Sequence, residues 1–306
     1  MKLGTRGSAL AVAQATLVAD ALRARGEAVE LVTITTSGDE RPGNGPPSPS
    51  PDDKSRFVKE IEEALLAGEV DLAVHSAKDV PGDLPHGLSI VGVPERGDAR
   101  DALCLPAGEG GTLEDLAEGA TVGTASLRRR AQLLAARPDL DVRPLRGNVD
   151  TRLRRLGDGG LDAIVLAAAG LDRLGRDEGA AIPAEQMTPA PGQGCLALEA
   201  RSEDERVREL AARLTDRDAL TALTAERALV TAIGATCHTP VGAHARLEHG
   251  VLRLHAFAGT PDGSIWIRDS LDGDAADPGA LGAAVAARLT AAGAADVLAA
   301  AERWSA

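Results

Sequence analysis

Twice in this chain a short apolar run ends in a Gly-Thr turn and restarts as a helix behind a serine. The first case is Gly4-Thr5-Arg6-Gly7-Ser8 and the second is Gly123-Thr124-Ala125-Ser126. Such strand–turn–helix units cannot bury themselves alone. They stack side by side into a sheet covered by helices on both faces. The surrounding pattern extends the alternation. Lys2–Thr5, Val29–Thr35, Leu72–His75, Thr121–Gly123, Val142–Leu145 and Ala163–Ala167 read as strands. Segments opening at Ser8, Phe57, Ser126 and Asn148 read as helices. The fold class is therefore α/β, with parallel sheets expected.

The last third changes character. Ser202–Leu214 and Leu220–Ile233 have helical spacing, followed by three β-rich runs, Val241–Leu247, Val251–Phe257 and Ile265–Ser270. His249-Gly250 and Asp262-Gly263 mark hairpin turns between them, so these strands form a small antiparallel sheet. Two Ala-rich helices close the chain. At about 150 residues per domain, 306 residues make about two domains, with one or three possible. Turn-rich stretches at Pro94–Arg100 and Met187–Gly194 are the candidate crossings. Residues 39–53 form a Pro/Gly/Ser-rich loop, too long for a plain connection.

Composition removes several function classes. The net charge of −13 argues against non-specific binding to nucleic acid or to anionic membranes. Two Phe, two Trp and no Tyr leave no stacking platform for single strands. No apolar run reaches the length of a membrane span. The three cysteines, Cys104, Cys195 and Cys237, form no CxxC and suit a reducing compartment, so the expected location is the cytoplasm. Cys104 and Cys195 lie in apolar surroundings and read as packed thiols.

Four segments could carry chemistry. The two strand–helix junctions are either anion-binding corners or ordinary helix caps. Between Ser126 and Arg155, nine Arg face three Asp, a local charge of +6 in an acidic chain. Arg128, Arg129 and Arg130 fall in the first turn of a helix, where the dipole disfavours cations unless an anion is near. That mismatch points to a cleft for a polyanionic ligand, with some of the arginines on a solvated face. His75-Ser76-Ala77-Lys78-Asp79 ends a buried strand, where ligands of α/β sheets bind. If the strand continues, Lys78 and Asp79 point to opposite faces; a structural ion pair is the plainer reading. Cys237 sits in a turn beside His238. It is a nucleophile, a covalent attachment point, a metal ligand with His238 and His244, or an incidental thiol.

Taken together these segments resemble the porphobilinogen deaminase family. The stretches that carry the resemblance are GTRGSALAVAQ at 4–14, VHSAKDVP at 74–81, VGTASLRRRAQL at 122–133, RPDLDVRPLRGNVDTRL at 137–153, DAIVLAAAGLDRLG at 162–175, PAPGQGCLALEAR at 189–201, TAERALV at 224–230 and CHTPVGAHA at 237–245. They cover nearly the whole chain.

The resemblance implies a transferase that joins four porphobilinogen molecules head to tail, releases ammonia at each step, and frees hydroxymethylbilane for tetrapyrrole and heme biosynthesis. It implies a dipyrromethane cofactor held through a thioether on Cys237, with Asp79 and Lys78 as catalytic residues. Cofactor contacts fall on Arg6, Ser8, Lys78, Thr124, Ser126, Arg128, Arg129, Arg146, Asn148 and Arg152, and substrate contacts on Arg6, Arg146, Arg152 and Arg173. It implies no metal, no nucleic-acid or membrane partner, and a monomer. The implied architecture has two lobes like those of periplasmic binding proteins and a small α+β domain with a three-stranded antiparallel sheet. Domain 1 would take residues 1–95 and 190–213, domain 2 residues 96–189, and domain 3 residues 214–306.

The chemistry agrees with the residues. Each porphobilinogen brings two carboxylates, so the growing chain needs arginines and helix N-termini. Loss of ammonia leaves an azafulvenium-like cation that Asp79 would stabilise. The chain departs from the family pattern in three places. A Pro-rich stretch with Lys54 and Arg56 precedes Phe57, Ala235-Thr236 precede Cys237, and Ala125 replaces a small hydroxyl or Gly. These departures allow a divergent paralogue. A two-lobed receptor for an acidic metabolite and a metal enzyme built on Cys237, His238 and His244 are the alternative functions.

Overall fold

The structure, a computed structural model, describes residues 1–35, 58–236 and 239–305. The Pro-rich loop at 39–56 with Lys54 and Arg56, and the Cys237-His238 pair, lie outside the described residues. Contacts divide the chain into two compact units, Met1–Gly97 with Gly194–Thr221, and Asp98–Gln193 with Ala222–Ala306. Two of the three cuts, at 97/98 and 193/194, fall inside the turn-rich stretches Pro94–Arg100 and Met187–Gly194, and the third falls within the helix Arg217–Ala232.

In chain order the elements begin β1 (Lys2–Arg6), α1 (Ala9–Arg23), β2 (Glu30–Ile34), α2 (Lys59–Leu66), β3 (Leu72–Ser76) and β4 (Leu88–Gly92). Then come β5 (Asp101–Cys104), β6 (Thr121–Gly123), α3 (Leu127–Ala136), β7 (Asp141–Arg143), α4 (Val149–Gly157), β8 (Ala163–Ala167), α5 (Ala168–Arg173) and β9 (Ala180–Ala181). The chain continues with β10 (Leu196–Arg201), α6 (Glu205–Ala212) and α7 (Arg217–Ala232). It closes with β11 (Val241–Glu248), β12 (Val251–Gly259), β13 (Trp266–Asp274), α8 (Pro278–Ala291) and α9 (Ala294–Ser305).

The first unit holds one sheet in the order β2-β1-β3-β10-β4. On one face Ala15, Val18 and Leu22 of α1 and Val207 and Leu210 of α6 pack on Leu3, Leu72, Val74 and Leu198. On the other, Ile61 and Leu65 of α2 cover Ala73 and Leu88. The second unit holds a sheet in the order β7-β6-β8-β5-β9. Leu133 and Leu134 of α3 cover one of its faces, and Leu156 of α4 and Leu171 of α5 cover the other. The two sheets share one strand plan, with a parallel core and an antiparallel fourth strand.

That fourth strand corrects the expectation of purely parallel sheets. β10 runs antiparallel to β3 and β4, and β5 runs antiparallel to β8 and β9. Only a direct strand–helix–strand crossover enforces parallel pairing. β10 is instead a returning segment, reached after the whole β5–β9 sheet has been laid down.

The third sheet is the antiparallel meander β11-β12-β13, with its own core against α7, α8 and α9. Leu252, Leu254, Leu281, Val285 and Leu289 are buried there, while β13 alternates exposed and half-buried residues along its length. His249 (φ 50°) and Gly250 (φ 81°) form the expected hairpin turn between β11 and β12. The fold is thus two α/β sheets plus a small α+β portion with a three-stranded antiparallel sheet. No single helix among the described residues is long and apolar enough to cross a membrane.

Candidate active site

In the first unit β1 and β3 are parallel neighbours, with Leu3 opposite Leu72 and Gly4 opposite Ala73. Their C-terminal ends therefore open on the same edge. Arg6 ends β1, Ser8 caps α1, and Lys78 and Asp79 follow β3. The Ser8 hydroxyl accepts from the Ala11 N–H at 3.3 Å. The first-turn N–H groups of Ala9 and Leu10 have no partner within the helix and remain at its positive end. Gln14 of α1 donates through Nε2 to Ser76 Oγ at 2.9 Å, tying the helix to the end of β3.

β3 does not continue through Lys78 and Asp79, which corrects the opposite-face expectation. It stops at Ser76, and Ala77–Asp79 form a 3-10 turn. The Val80 N–H turns back to the Ala77 carbonyl at 3.3 Å, and Pro81 has no N–H for a ladder. Lys78 and Asp79 are both half-buried on this turn.

The second unit repeats the arrangement. β6 pairs in parallel with β7 and with β8, so three C-terminal ends lie side by side. Thr124 and Ser126 follow β6, Arg146 and Asn148 follow β7, and Arg173 ends the short α5 behind β8. Ser126 Oγ accepts from Arg129 N at 3.4 Å and Asn148 Oδ1 from Thr151 N at 2.9 Å. Buried Thr124 accepts from Ser126 N at 3.2 Å. Ser126 and Asn148 act as helix caps, and the remaining first-turn N–H groups stay at the positive helix ends.

The cations in the first turn of α3 have their anion inside the chain. Arg128 holds the Asp101 carboxylate with Nη1 at 2.7 Å and Nη2 at 3.1 Å, and Nη1 also donates to the Thr188 carbonyl at 2.7 Å. Arg129 donates through Nε to Asp101 Oδ1 at 2.9 Å and through Nη1 to the Val165 carbonyl at 2.9 Å. Gln193 Nε2 reaches the same Oδ1 at 2.9 Å. The two guanidiniums and the donated hydrogen bonds outweigh burial and hold the Asp101 carboxyl far below the usual carboxylate range. One carboxylate between two guanidiniums leaves one positive charge in excess.

Arg152 adds another. Its Nε is buried with no hydrogen-bond partner, as is the Nε of Arg128. Burial, and then the charge of Arg129, push the Arg152 guanidinium down to about 10. A half-buried cation with an unused donor is what a ligand carboxylate would satisfy. The residues present therefore fit a ligand that carries several carboxylates.

Other arginines of the basic segment serve the fold. Arg137 and Arg143 pair with Asp139 and Asp141. Arg130 donates to the Val142 carbonyl and lies 5.6 Å from the centre of the Trp304 ring. Cys104 is buried in β5, and burial pushes its thiol up to about 12. Cys195 is buried as well. His244 sits with Nδ1 3.7 Å from Glu226 Oε1, both side chains buried. Asp101 escaped the sequence reading. Its only signal there was a carboxylate at the start of the apolar run Asp101-Ala-Leu-Cys104.

Basic side chains and helix N-termini lie at C-terminal strand ends once in each unit, an arrangement that suits acidic ligands. Residues 1–209 match the family model "Porphobilinogen deaminase, dipyromethane cofactor binding domain" and residues 220–291 match "Porphobilinogen deaminase, C-terminal domain". The chain is 49% identical over 300 residues to a protein named porphobilinogen deaminase from Roseiflexus castenholzii, covering 96% of each. It is 47% identical to the protein of that name from Thermus thermophilus, covering 97% of each chain. Among solved structures it is similar to an ancestral cationic amino acid solute binding protein, with a TM-score of 0.42 and 14% identity over 70% of this chain and 87% of that one. The chain belongs to the porphobilinogen deaminase family.

Proposed function

We propose that this chain builds hydroxymethylbilane from four porphobilinogen molecules, with Asp79 at the reacting centre and the basic strand ends holding the carboxylates. The family activity is the release of ammonia as porphobilinogen units are joined on a dipyrromethane cofactor, in tetrapyrrole biosynthesis. When bound, that cofactor supplies the pyrrole rings to which the first substrate is joined, and Cys237 is its proposed attachment point.

The observation that carries the reading is the unpartnered Nε of Arg152, buried beside the Arg129–Asp101–Arg128 set. Arg128, Arg129, Arg146, Arg152 and Arg173, with the first-turn N–H groups behind Ser126 and Asn148, would bind and orient acetate and propionate groups. Thr124 fixes the turn that presents them. Arg6 and Ser8 would do the same in the first unit. The Asp79 carboxylate would accept from pyrrole N–H and face the positive charge left on the incoming pyrrole as ammonia departs. A carbon–carbon bond forms, a carbon–nitrogen bond breaks, and the attacked pyrrole carbon gives up its proton. No serine or cysteine nucleophile is needed. Lys78 beside Asp79 would bind a carboxylate. The charge of −13 and the scarcity of aromatic residues support action without nucleic acid or membrane. We infer a cytoplasmic monomer organised as three domains, 1–95 with 190–213, 96–189 and 214–306.

Intact mass of the native protein tests this. An excess of two porphobilinogen units less two ammonias, mapping to the peptide bearing Cys237, is expected. A Cys237→Ser variant with normal turnover would overturn the attachment, and an Asp79→Ala variant with unchanged activity would favour the two-lobed receptor.

A further inference from the structure

Behind the Asp79 turn lies a group of buried titratable side chains that carboxylate binding does not use. His75 is on β3, four residues before Asp79. Glu199 is on β10, where its neighbour across the ladder is Ala73. Ala73 belongs to the core cluster under α2, and strand side chains alternate, so His75 faces α2 as well. His75 Nε2 lies 2.9 Å from Glu199 Oε2, with side-chain exposures of 3% and 0%. Glu62 of α2 is buried over the same face. Glu62 Oε1 and both Glu199 oxygens are sealed from solvent with no well-aligned hydrogen bond.

Among the described residues, the remaining charged groups around the set are few. On α2, Lys59 pairs with Glu63 at 3.8 Å, and Glu60 has its own contacts. On β10, Arg201 donates to the Leu65 and Val70 carbonyls. β4 carries no charged residue. With two carboxylates and one imidazole in a dry site, at least one carboxyl must keep its proton for the set to be neutral. Burial first, and then the charge of Glu199, push the Glu62 carboxyl up to about 7, while His75 opposes the shift. Glu62 is thus the carboxyl that holds the proton.

We propose that His75, Glu199 and Glu62 form a positioning cluster that fixes the end of β3 and with it the Lys78–Asp79 turn. The link to catalysis rests on the reading of Asp79 given above. The cluster itself is a property of β3, β10 and α2. While Glu62 keeps its proton the set is closed. As pH rises through about 7 that proton leaves, a further negative charge appears in the dry site behind β3, and the turn loosens. The reporters are the Ala77 N–H, bonded to the Cys195 carbonyl at 3.0 Å, and the Val80 N–H, bonded to the Ala77 carbonyl at 3.3 Å.

The test is native-state hydrogen exchange at these two amides from pH 5 to pH 9, corrected for intrinsic base catalysis, with kcat and KM on the same variants. Glu62→Gln, which removes the titration while keeping the shape, should fold well. Its protection at Ala77 and Val80 should be flat with pH, where the unaltered protein loses about tenfold as pH rises toward and through about 7. His75→Gln and Glu199→Gln should each speed exchange at these amides about tenfold and lower kcat with little change in KM. The double variant should recover part of the protection, because neither position then faces a buried partner of unmatched chemistry. Unchanged exchange at Ala77 and Val80 in the single variants overturns the proposal. So does acceleration spread evenly over the first unit, which marks a merely structural role. If Asp79→Asn keeps full activity while exchange behaves as described, the reading of Asp79 fails and the cluster stands.

Discussion

Arg128 Nη1 lies 2.7 Å from Asp101 Oδ2, and their side chains are 5% and 0% exposed. Arg129 shares the same carboxylate at 2.8 Å. Removing the shared anion leaves two buried cations facing each other. Asp101→Asn should therefore cost about 3–5 kcal/mol of stability, read from the urea midpoint.

The same pair sets an acid limit. The Asp101 carboxyl is held far below its unfolded value by the two guanidiniums. A lowered carboxyl contributes stability that is full above the ordinary carboxylate range and lost as pH falls through and below it. Unfolding of the second unit should steepen below about pH 4. Asp101→Asn should remove that steepening, in circular dichroism melts from pH 7 to pH 3.

Arg152 predicts an opposed effect on stability and on binding. Its side chain is half-buried with a sealed, idle Nε, so in the ligand-free protein it is a burden. Arg152→Leu should leave ligand-free stability unchanged or raise it by about 1 kcal/mol. Cofactor assembly from porphobilinogen, followed by intact mass, should slow at least tenfold, which is about 1.4 kcal/mol. A variant that melts earlier and still assembles the cofactor at the normal rate would contradict this.

Gly242 predicts a packing effect. A Cβ placed there would come within 2.8 Å of the Thr188 carbonyl oxygen, the atom that also accepts from Arg128 and Gln132. Gly242→Ala must push β11 off this segment or break those hydrogen bonds, a cost of about 1–3 kcal/mol. A thermal melt of the variant measures it.

Cys104 should be inert in the folded protein. Its thiol is buried and pushed up to about 12, so almost no thiolate exists at pH 8. Peptide mapping after iodoacetamide treatment should find it unlabelled in native protein and labelled in urea.

What could be read from the sequence was local. Ser8, Ser126 and Asn148 cap α1, α3 and α4 as their spacing indicated, because a cap depends on residues within one turn. The hairpin at His249-Gly250 was legible for the same reason. Arg128 to Arg130 announced an anion nearby but not its source. Asp101 is 27 positions earlier, and no local pattern joins it to α3. The turn at Lys78-Asp79 was misread because Val74, His75 and Ser76 look like a strand that continues. Nothing local marks Glu62 and Glu199 as buried, since burial of a charge appears only when distant strands meet. The plan of basic strand ends was legible from the two Gly-Thr turns, whereas the antiparallel entry of β10 was not.

That entry of β10 orders events during synthesis. Among the described residues β4 pairs with no strand except β10, and β10 ends at Arg201. The first sheet therefore cannot close until the ribosome has passed residue 201. The β5–β9 sheet is contiguous within Asp98–Gln193 and has every strand in hand earlier. A nascent chain of this protein acquires its arginine-rich sheet first, and the β3 end that bears Asp79 is locked only when the returning strand arrives.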